Sequence, residues 1–379
     1  MKSKIWLSSP HMGGLEQKYV KEAFDTNWVA PLGPNVNGFE TDISRYLSYQ
    51  DEIYAAALTS GTAALHLALK MLNVCAGDVV MVQSFTFCGT TNPVSYLGAK
   101  IVFIDSELAT WNMCPLALQE ALEEYKDKSV KAIMPVHLYG MPSQMTEILE
   151  IAELYGVPVI EDAAEALGSR YKNQNCGTFG EMAALSFNGN KIITTSGGGA
   201  LVSKSKDFIE HVRFLATQAR DNAPHYQHSQ IGFNYRMSNI LAGIGRGQME
   251  VLDKRVAQRR ANNQRYREFF TGNCGITFQT EPNSNYFSNY WITAILIDPE
   301  KTGGITREKV RLALDSENIE SRPLWKPMHI QPVYEGSRFF GSGVCEQLFE
   351  QGLCLPSGSN LTIEEFERIF EALTKIFKN

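Results

Sequence analysis

Four short stretches of this chain hold side chains able to do chemistry together. In TSGTAALHLAL (59–69), Ser60, Gly61 and Thr62 stand just ahead of an apolar helical pattern. They can cap that helix, or hold an anion with their amides, hydroxyls and the positive helix end. In SFTFCGTTN (84–92), Phe87 is either a core residue or an apolar plate over a flat ring. In VPVIEDAAEALGS (157–169), Asp162 ends an apolar, strand-like run, the edge at which open α/β sheets bind ligands. It can serve a ligand there or cap the following helix. In SFNGNKIITTSGGG (186–199), Lys191 lies between a polar turn and a run of small residues. It is either a solvated loop lysine or an amine that a flat molecule can approach and react with.

Together the four describe one device. A lysine whose amine is deprotonated in a partly desolvated site condenses with an aldehyde. An anion beside a pyridine nitrogen keeps the ring protonated and able to store electrons. A phosphate needs an anchor, and the ring an apolar lid. These are the needs of pyridoxal phosphate, and Lys191, Asp162, the Ser60–Gly61–Thr62 turn and Phe87 can meet them. Other chemistries are less well served. There is no G-x-x-x-x-G-K-[ST], and SGGGA (196–200) lacks the G-x-G-x-x-G spacing of a dinucleotide turn. No G-x-S-x-G elbow occurs. The seven histidines form no H-x-x-x-H pair; His225 and His228 read as loop or interface residues and His66 as a core histidine, so no metal is expected.

Such residues need a frame. The runs VVMVQ (79–83), IVFID (101–105), AIMPVHL (132–138) and VPVIED (157–162) suit strands buried on both faces. Between them, 62–72, 116–125 and 145–156 carry helical spacing. This βα repetition predicts a largely parallel sheet with helices on both sides. Near residue 245 the pattern changes. Residues 249–270 read as one long charged helix, 290–297 as a strand, 306–318 as a helix, and 362–378 as a closing helix with a capping box at Thr362 and Glu365. We expect a large α/β domain over 1–245 and a smaller α+β domain over 246–379.

Composition narrows the partners. A 379-residue chain, 44% hydrophobic and 20% charged, can bury two cores. Its net charge of −6 and the lack of a basic block argue against nucleic acid. Seven scattered cysteines without a C-x-x-C pair argue for reduced thiols rather than disulfides or zinc. The opening MKSKIWLSSPHMGG lacks the apolar stretch of a signal peptide, and no apolar run is long enough to span a bilayer. A soluble cytoplasmic protein is expected.

At these residues the chain resembles the DegT/DnrJ/EryC1/StrS nucleotide-sugar aminotransferases. The motifs are PHMGG (10–14), NWVAPLG (27–33), TSGTAALHLAL, SFTF, HLYG (137–140), EDAAEALGS, SFNGNKIITTSGGG, GFNYRMSN (232–239), RPLWKPMH (322–329) and CLPSG (354–358). The resemblance implies the aspartate-aminotransferase fold (fold type I), a large domain with a mainly parallel seven-stranded sheet and a small C-terminal domain. It implies that Lys191 holds pyridoxal 5'-phosphate, which passes through the pyridoxamine form in turnover; relatives that dehydrate sugars carry histidine there. It places Asp162 at the ring nitrogen, Phe87 on the ring, and Ser60, Gly61, Thr62 and Ser186 at the phosphate. Glu165 stands where many relatives have Gln or His, near the ring hydroxyl. Asn234 would serve the site of a neighbouring subunit in a homodimer.

The motifs look most like those of UDP-sugar 4-aminotransferases of bacillosamine-type pathways. The implied reaction moves an amino group from L-glutamate to C4 of UDP-2-acetamido-2,6-dideoxy-hexos-4-ulose. Asn27, Trp28, Ala30, Arg322, Trp325 and His329 would contact the sugar nucleotide. A dTDP-linked substrate, amination at C3, an axial product and a sugar dehydratase are the alternatives.

Overall fold

The computed structural model describes residues 2–377, so residue 378 of the expected last helix lies outside it. Seven strands of the large domain build the main sheet, to which one later strand is added: β1 (Tyr54–Leu58), β2 (Val79–Gln83), β3 (Lys100–Ile104), β4 (Val130–Met134), β5 (Ile160–Asp162), β6 (Met182–Ser186) and β7 (Gly199–Ser203). Two ladders, β1-β7-β6-β5 and β4-β2-β3, meet through the parallel bridges Ile133–Val159 and Val136–Asp162. β7 alone runs antiparallel to its neighbours; the other pairings are parallel.

The sheet is sandwiched, and β2 shows how. All five of its residues are buried. Val80 and Val82 join one apolar cluster while Val79 and Met81 join another, because alternate side chains of a strand leave on opposite faces. Each face is covered by helices, including α1 (Gly61–Met71) and α2 (Cys88–Tyr96). The sequence pattern did not mark β1, β6 and β7. Their runs YAAAL, MAALS and GALVS are mostly small residues, without the β-branched signature of a strand.

The expected helix over 249–270 is α4 (Leu252–Phe269), and a further helix, α3 (Asn239–Met249), precedes it. The chain turns at Glu250–Val251, where Val251 has ψ 6°. Residue 245, the expected end of the large domain, lies inside α3. The turn lets Gly245 lie against the Phe39 ring and Gly247 against Glu16 while α4 takes another direction. No glycine or proline marks the break, so helical spacing alone could not reveal it. The buried face of α4 is also unusual, since it carries Arg255, Arg259, Asn262 and Asn263. Arg255, Arg259 and Asn262 hydrogen-bond backbone carbonyls, as Arg255 does with His11 and Met12, and Asn263 donates to the Thr293 hydroxyl.

Beyond α4, β8 (Ile276–Phe278), β9 (Thr293–Ile297), β10 (Arg322–Pro323) and β12 (Gly352–Leu355) form an antiparallel sheet in the order β8-β9-β12-β10. β11 (Arg338–Phe340) instead joins the main sheet, parallel to β3. In the other direction, Ile5 bridges Ile319 and sits in the C-terminal apolar cluster. The closing helix Ile363–Phe377 has its capping box: the Thr362 amide donates to Glu365, and the Glu365 amide donates to Thr362 Oγ1. Among the described residues no helix is long and apolar enough to cross a membrane.

Candidate active site

A cleft of about 730 Å³ opens at the C-terminal ends of β5 and β6 and extends to the N-terminal segment and to β10. Asp162, the last residue of β5, is 5% exposed. Thr90 of α2 donates its hydroxyl to Asp162 Oδ2 at 2.6 Å, and the Ala164 amide donates to Oδ1 at 3.1 Å. Thr86 lies 2.6 Å from Thr90. Since the Thr90 proton is committed to Asp162, Thr86 is the donor in that contact. The Asp162 carboxyl is thus held in place by two donors.

Lys191 projects from the turn after β6, with its amide donating to the Asn188 carbonyl at 3.0 Å. Its Nζ lies 3.2 Å from Glu165 Oε1 and 4.2 Å above the Trp291 ring. Trp291 is fixed at its other end, where its indole N–H donates to the Asn190 carbonyl at 2.6 Å. Ser8 donates to the same carbonyl at 2.6 Å. Arg259 then binds both supports, reaching the Trp291 carbonyl and Ser8 Oγ. The lysine therefore stands on a braced loop, not in solvent.

Glu165 is 3% exposed. Its Oε2 accepts the Tyr139 amide at 2.7 Å, presented by a residue in the left-handed region at φ 56°. Loss of water on burial pushes the Glu165 carboxyl up to about 7, against the pull of Lys191 and the Tyr139 amide.

The other end of the cleft is an N-terminus. Ser60 caps α1 by accepting the Ala63 amide at 3.0 Å. The amides of Gly61 and Thr62 open the helix with no acceptor among the described residues. Ser186, the last residue of β6, lies beside Gly61. A Cβ at Gly199 would collide with Ser60 and the Gly61 nitrogen, so the glycine run of 197–199 lets β7 press against this turn. Helix start, dipole and free amides make a site for an anion. Between the two ends, Phe87 presents a ring 58% exposed, 5.4 Å from the Trp325 ring. The Trp325 amide donates to the Tyr139 hydroxyl at 3.0 Å.

The cleft thus gathers Ser60, Gly61, Thr62, Phe87, Asp162, Glu165, Ser186, Lys191, Arg322 and Trp325. It does not gather the rest of the expected set. Asn27 and Trp28 are exposed and Ala30 is half-buried, on a segment tied down by Asn239 through the Trp28 and Ala30 carbonyls. Asn234 is exposed, near Thr217. His329 is spent elsewhere: it pairs with Ser84 at 2.7 Å and Glu346 at 3.3 Å, and stacks on Phe339. His66 is satisfied in the core by the Tyr235 hydroxyl at 3.2 Å.

Residue reasoning passed over Thr90, Trp291, Tyr139 and Ser8. Thr90 had a faint signal, since Phe87-x-x-Thr90 puts both on one face at a helix start. Trp291 had none, being read as part of a strand.

Comparison with known proteins agrees with this geometry. EpsN of Bacillus subtilis (strain 168), whose name proposes a pyridoxal phosphate-dependent aminotransferase, is 51% identical over 383 residues, covering 100% of this chain and 97% of its own. The GDP-perosamine synthase of Escherichia coli O157:H7 is 34% identical over 371 residues, with 98% of each chain covered. The crystal structure of a DegT DnrJ EryC1 StrS aminotransferase from Brucella abortus superposes with a TM-score of 0.87 at 26% identity, over 96% of this chain and 95% of that one. A family model matches residues 10–374, and the chain belongs to the DegT/DnrJ/EryC1/StrS aminotransferase family.

Proposed function

We propose that this pyridoxal phosphate-dependent aminotransferase moves the amino group of L-glutamate to C4 of a UDP-linked 2-acetamido-4-keto-6-deoxy sugar, releasing 2-oxoglutarate and the 4-amino sugar. One observation carries the reading. A lysine amine and a buried, doubly hydrogen-bonded carboxylate line a single cleft whose far end is a helix N-terminus with free amides.

The residues present fit the cofactor. Ser60, Gly61, Thr62 and Ser186 would hold its phosphate, Asp162 would face the ring nitrogen, and Phe87 would cover the ring. Glu165 lies where the ring hydroxyl is expected. When bound, pyridoxal phosphate supplies an aldehyde that condenses with amines and a protonated ring that stores an electron pair. The chain supplies proton handling and position. Lys191 Nζ takes the proton from the donor's α-carbon in one half-reaction and delivers a proton to sugar C4 in the other. Asp162, positioned by Thr90 and the Ala164 amide, would face the ring nitrogen and favour its protonated form. The half-reactions alternate at one site, so the kinetics are ping-pong.

Arg322 and Trp325, at the open side of the cleft, are the sugar-nucleotide contacts this chain itself offers. A second copy would supply others. Met12, Leu15, Phe24, Trp28, Val29 and Leu32 are large apolar side chains left exposed on the N-terminal segment. Asn27–Ala30 and Asn234 lie on the exterior, where they could complete the site of a neighbour.

A GDP-linked 4-keto sugar is the second reading, favoured by the 34% identity to a protein named GDP-perosamine synthase. Incubating the purified protein with glutamate and each keto-sugar nucleotide, with NMR of the product, tests both. A 4-amino sugar from the UDP substrate supports the first reading; amination of the GDP substrate alone replaces it.

A further inference from the structure

The innermost part of the cleft holds more acid than base. Four titratable side chains face Glu165: Lys191 from the loop after β6, Asp162 from β5, Tyr139 from the loop after β4, and Cys354 from β12. Burial raises the Tyr139 phenol well above its ordinary value and pushes the Cys354 thiol up to about 12, so both stay neutral. Two carboxyls and one ammonium remain. Asp162 accepts hydrogen bonds from Thr90 and Ala164. Glu165, the deeper acid, has one amide donor and the Lys191 ammonium. A buried ion pair loses its hydration on both sides, so proton transfer within it costs far less than in water.

We propose that Glu165 is the proton partner of Lys191: a proton passes directly between Lys191 Nζ and Glu165 Oε1, 3.2 Å apart. In the forward step an N–H bond breaks and an O–H bond forms. The ammonium–carboxylate pair becomes an amine–acid pair, with no change of net charge and no other reactant. The reverse step restores the ammonium. Burial raises the carboxyl to about 7, which brings the two partners' proton affinities together. Trp291, 4.2 Å below Nζ, steadies the ammonium form. Lys191 acts as a nucleophile or base only as the free amine; the pair rests as ammonium and carboxylate, and this contact offers the lysine's proton an acceptor inside the cleft instead of solvent. Glu165 is then a positioning residue for protons, acting through Lys191, and its value to turnover rests on the function proposed above.

The test uses cofactor-free protein. Lys191 is labelled with an amine-reactive reagent across a pH series, and its modification is followed by peptide mass spectrometry. Glu165→Gln keeps the shape and an acceptor for the Tyr139 amide but cannot take the proton. Without its anion, Lys191 should lose its proton at least one pH unit lower, so that below both midpoints it labels about tenfold faster. An unchanged midpoint overturns the proposal. The reciprocal variant covers a misfolded Gln protein: in Lys191→Ala, the Glu165 carboxyl, followed by carbon-13 NMR, should titrate higher than in the wild type, and an unmoved titration overturns the proposal equally. Cofactor-loaded protein separates the two claims. If borohydride fixes no cofactor on Lys191 while the midpoint still shifts, the function falls and the proton partnership stands.

Discussion

The two ends of the cleft are built differently. At the inner end Asp162 and Glu165 are no more than 5% exposed, and each has named donors from two elements. At the rim Trp6 is 56% exposed and the Arg322 side chain 69%, its guanidinium held, among the described residues, only by neighbouring Glu320. The inner end sits at the termini of β5 and β6 and cannot move without disturbing the sheet. The rim is anchored by a side chain and by a sheet pairing: Leu7 donates its amide to the Glu320 carboxylate, and Arg322 pairs with Cys354 in the small sheet. Proton chemistry is thereby separated from recognition. A change at the rim should alter what binds, and a change inside should alter whether anything happens.

The sharpest break of this contrast is Lys191→Ala. Turnover should fall by about 10⁴ or more, with the fold intact by circular dichroism and the sugar nucleotide still bound by calorimetry. Retained activity would show that the inner end is not the reacting end. Asp162→Asn comes next. It keeps the size and one acceptor for Thr90 but removes the charge. The expected loss in kcat is on the order of 10²–10³, with weaker retention of cofactor on gel filtration.

The same division explains what could be read from sequence. Strands β2, β3 and β4 announced themselves because helices cover both their faces and demand β-branched and aliphatic runs. The inner-end residues were legible where one side chain carries the chemistry, as Lys191 and Asp162 do. Their supports were not. Trp291 lies 100 residues beyond Lys191 and Arg259 more than 60, and only the fold brings Trp291 to the Asn190 carbonyl and Arg259 to the Trp291 carbonyl and the Ser8 hydroxyl. Arg259 is 1% exposed with no carboxylate partner, and burial pushes its guanidinium down to about 9. A charge run such as DKRVAQRR reads as a solvated face, yet α4 buries two of its arginines. His329 misled in the opposite way, since a histidine inside a recognisable motif turned out to be packed between Ser84, Phe339 and Glu346.

Glu165 offers a measure of the inner end that needs no substrate. Its folded value, about 7, lies above the ordinary 4.5. The folded state therefore binds this proton more tightly than the unfolded chain does. The stability it contributes is full below pH 4.5 and is lost as pH rises to about 7. A difference of about 2.5 units corresponds to about 3 kcal/mol at most. Urea unfolding of wild type and Glu165→Gln, compared at several pH values, should show the wild type losing ground between pH 4.5 and 7 and a constant gap above. A gap that does not change with pH would mean that water reaches this carboxyl, and the inner end would not be the dry site described here.

The smallest expected effect is at the rim, and it tests the separation most directly. Arg322 makes its two hydrogen bonds to Glu320 Oε1 at 3.0 and 2.9 Å, and the other Glu320 oxygen takes the Leu7 amide. Removing the guanidinium leaves Glu320 on its backbone partner, so the rim keeps its shape. If Arg322 meets the charged part of a sugar nucleotide, Arg322→Ala should raise KM for that substrate about tenfold and leave kcat within about twofold, because a contact made equally in ground and transition states alters binding alone. The half-reaction with glutamate, followed by the cofactor's absorbance, should be unaffected. A fall in kcat of the same size as the rise in KM, or a slowed glutamate half-reaction, would show that rim and interior are coupled, and the tie through Glu320 and Leu7 to the segment that braces Asn190 is the route by which they would be.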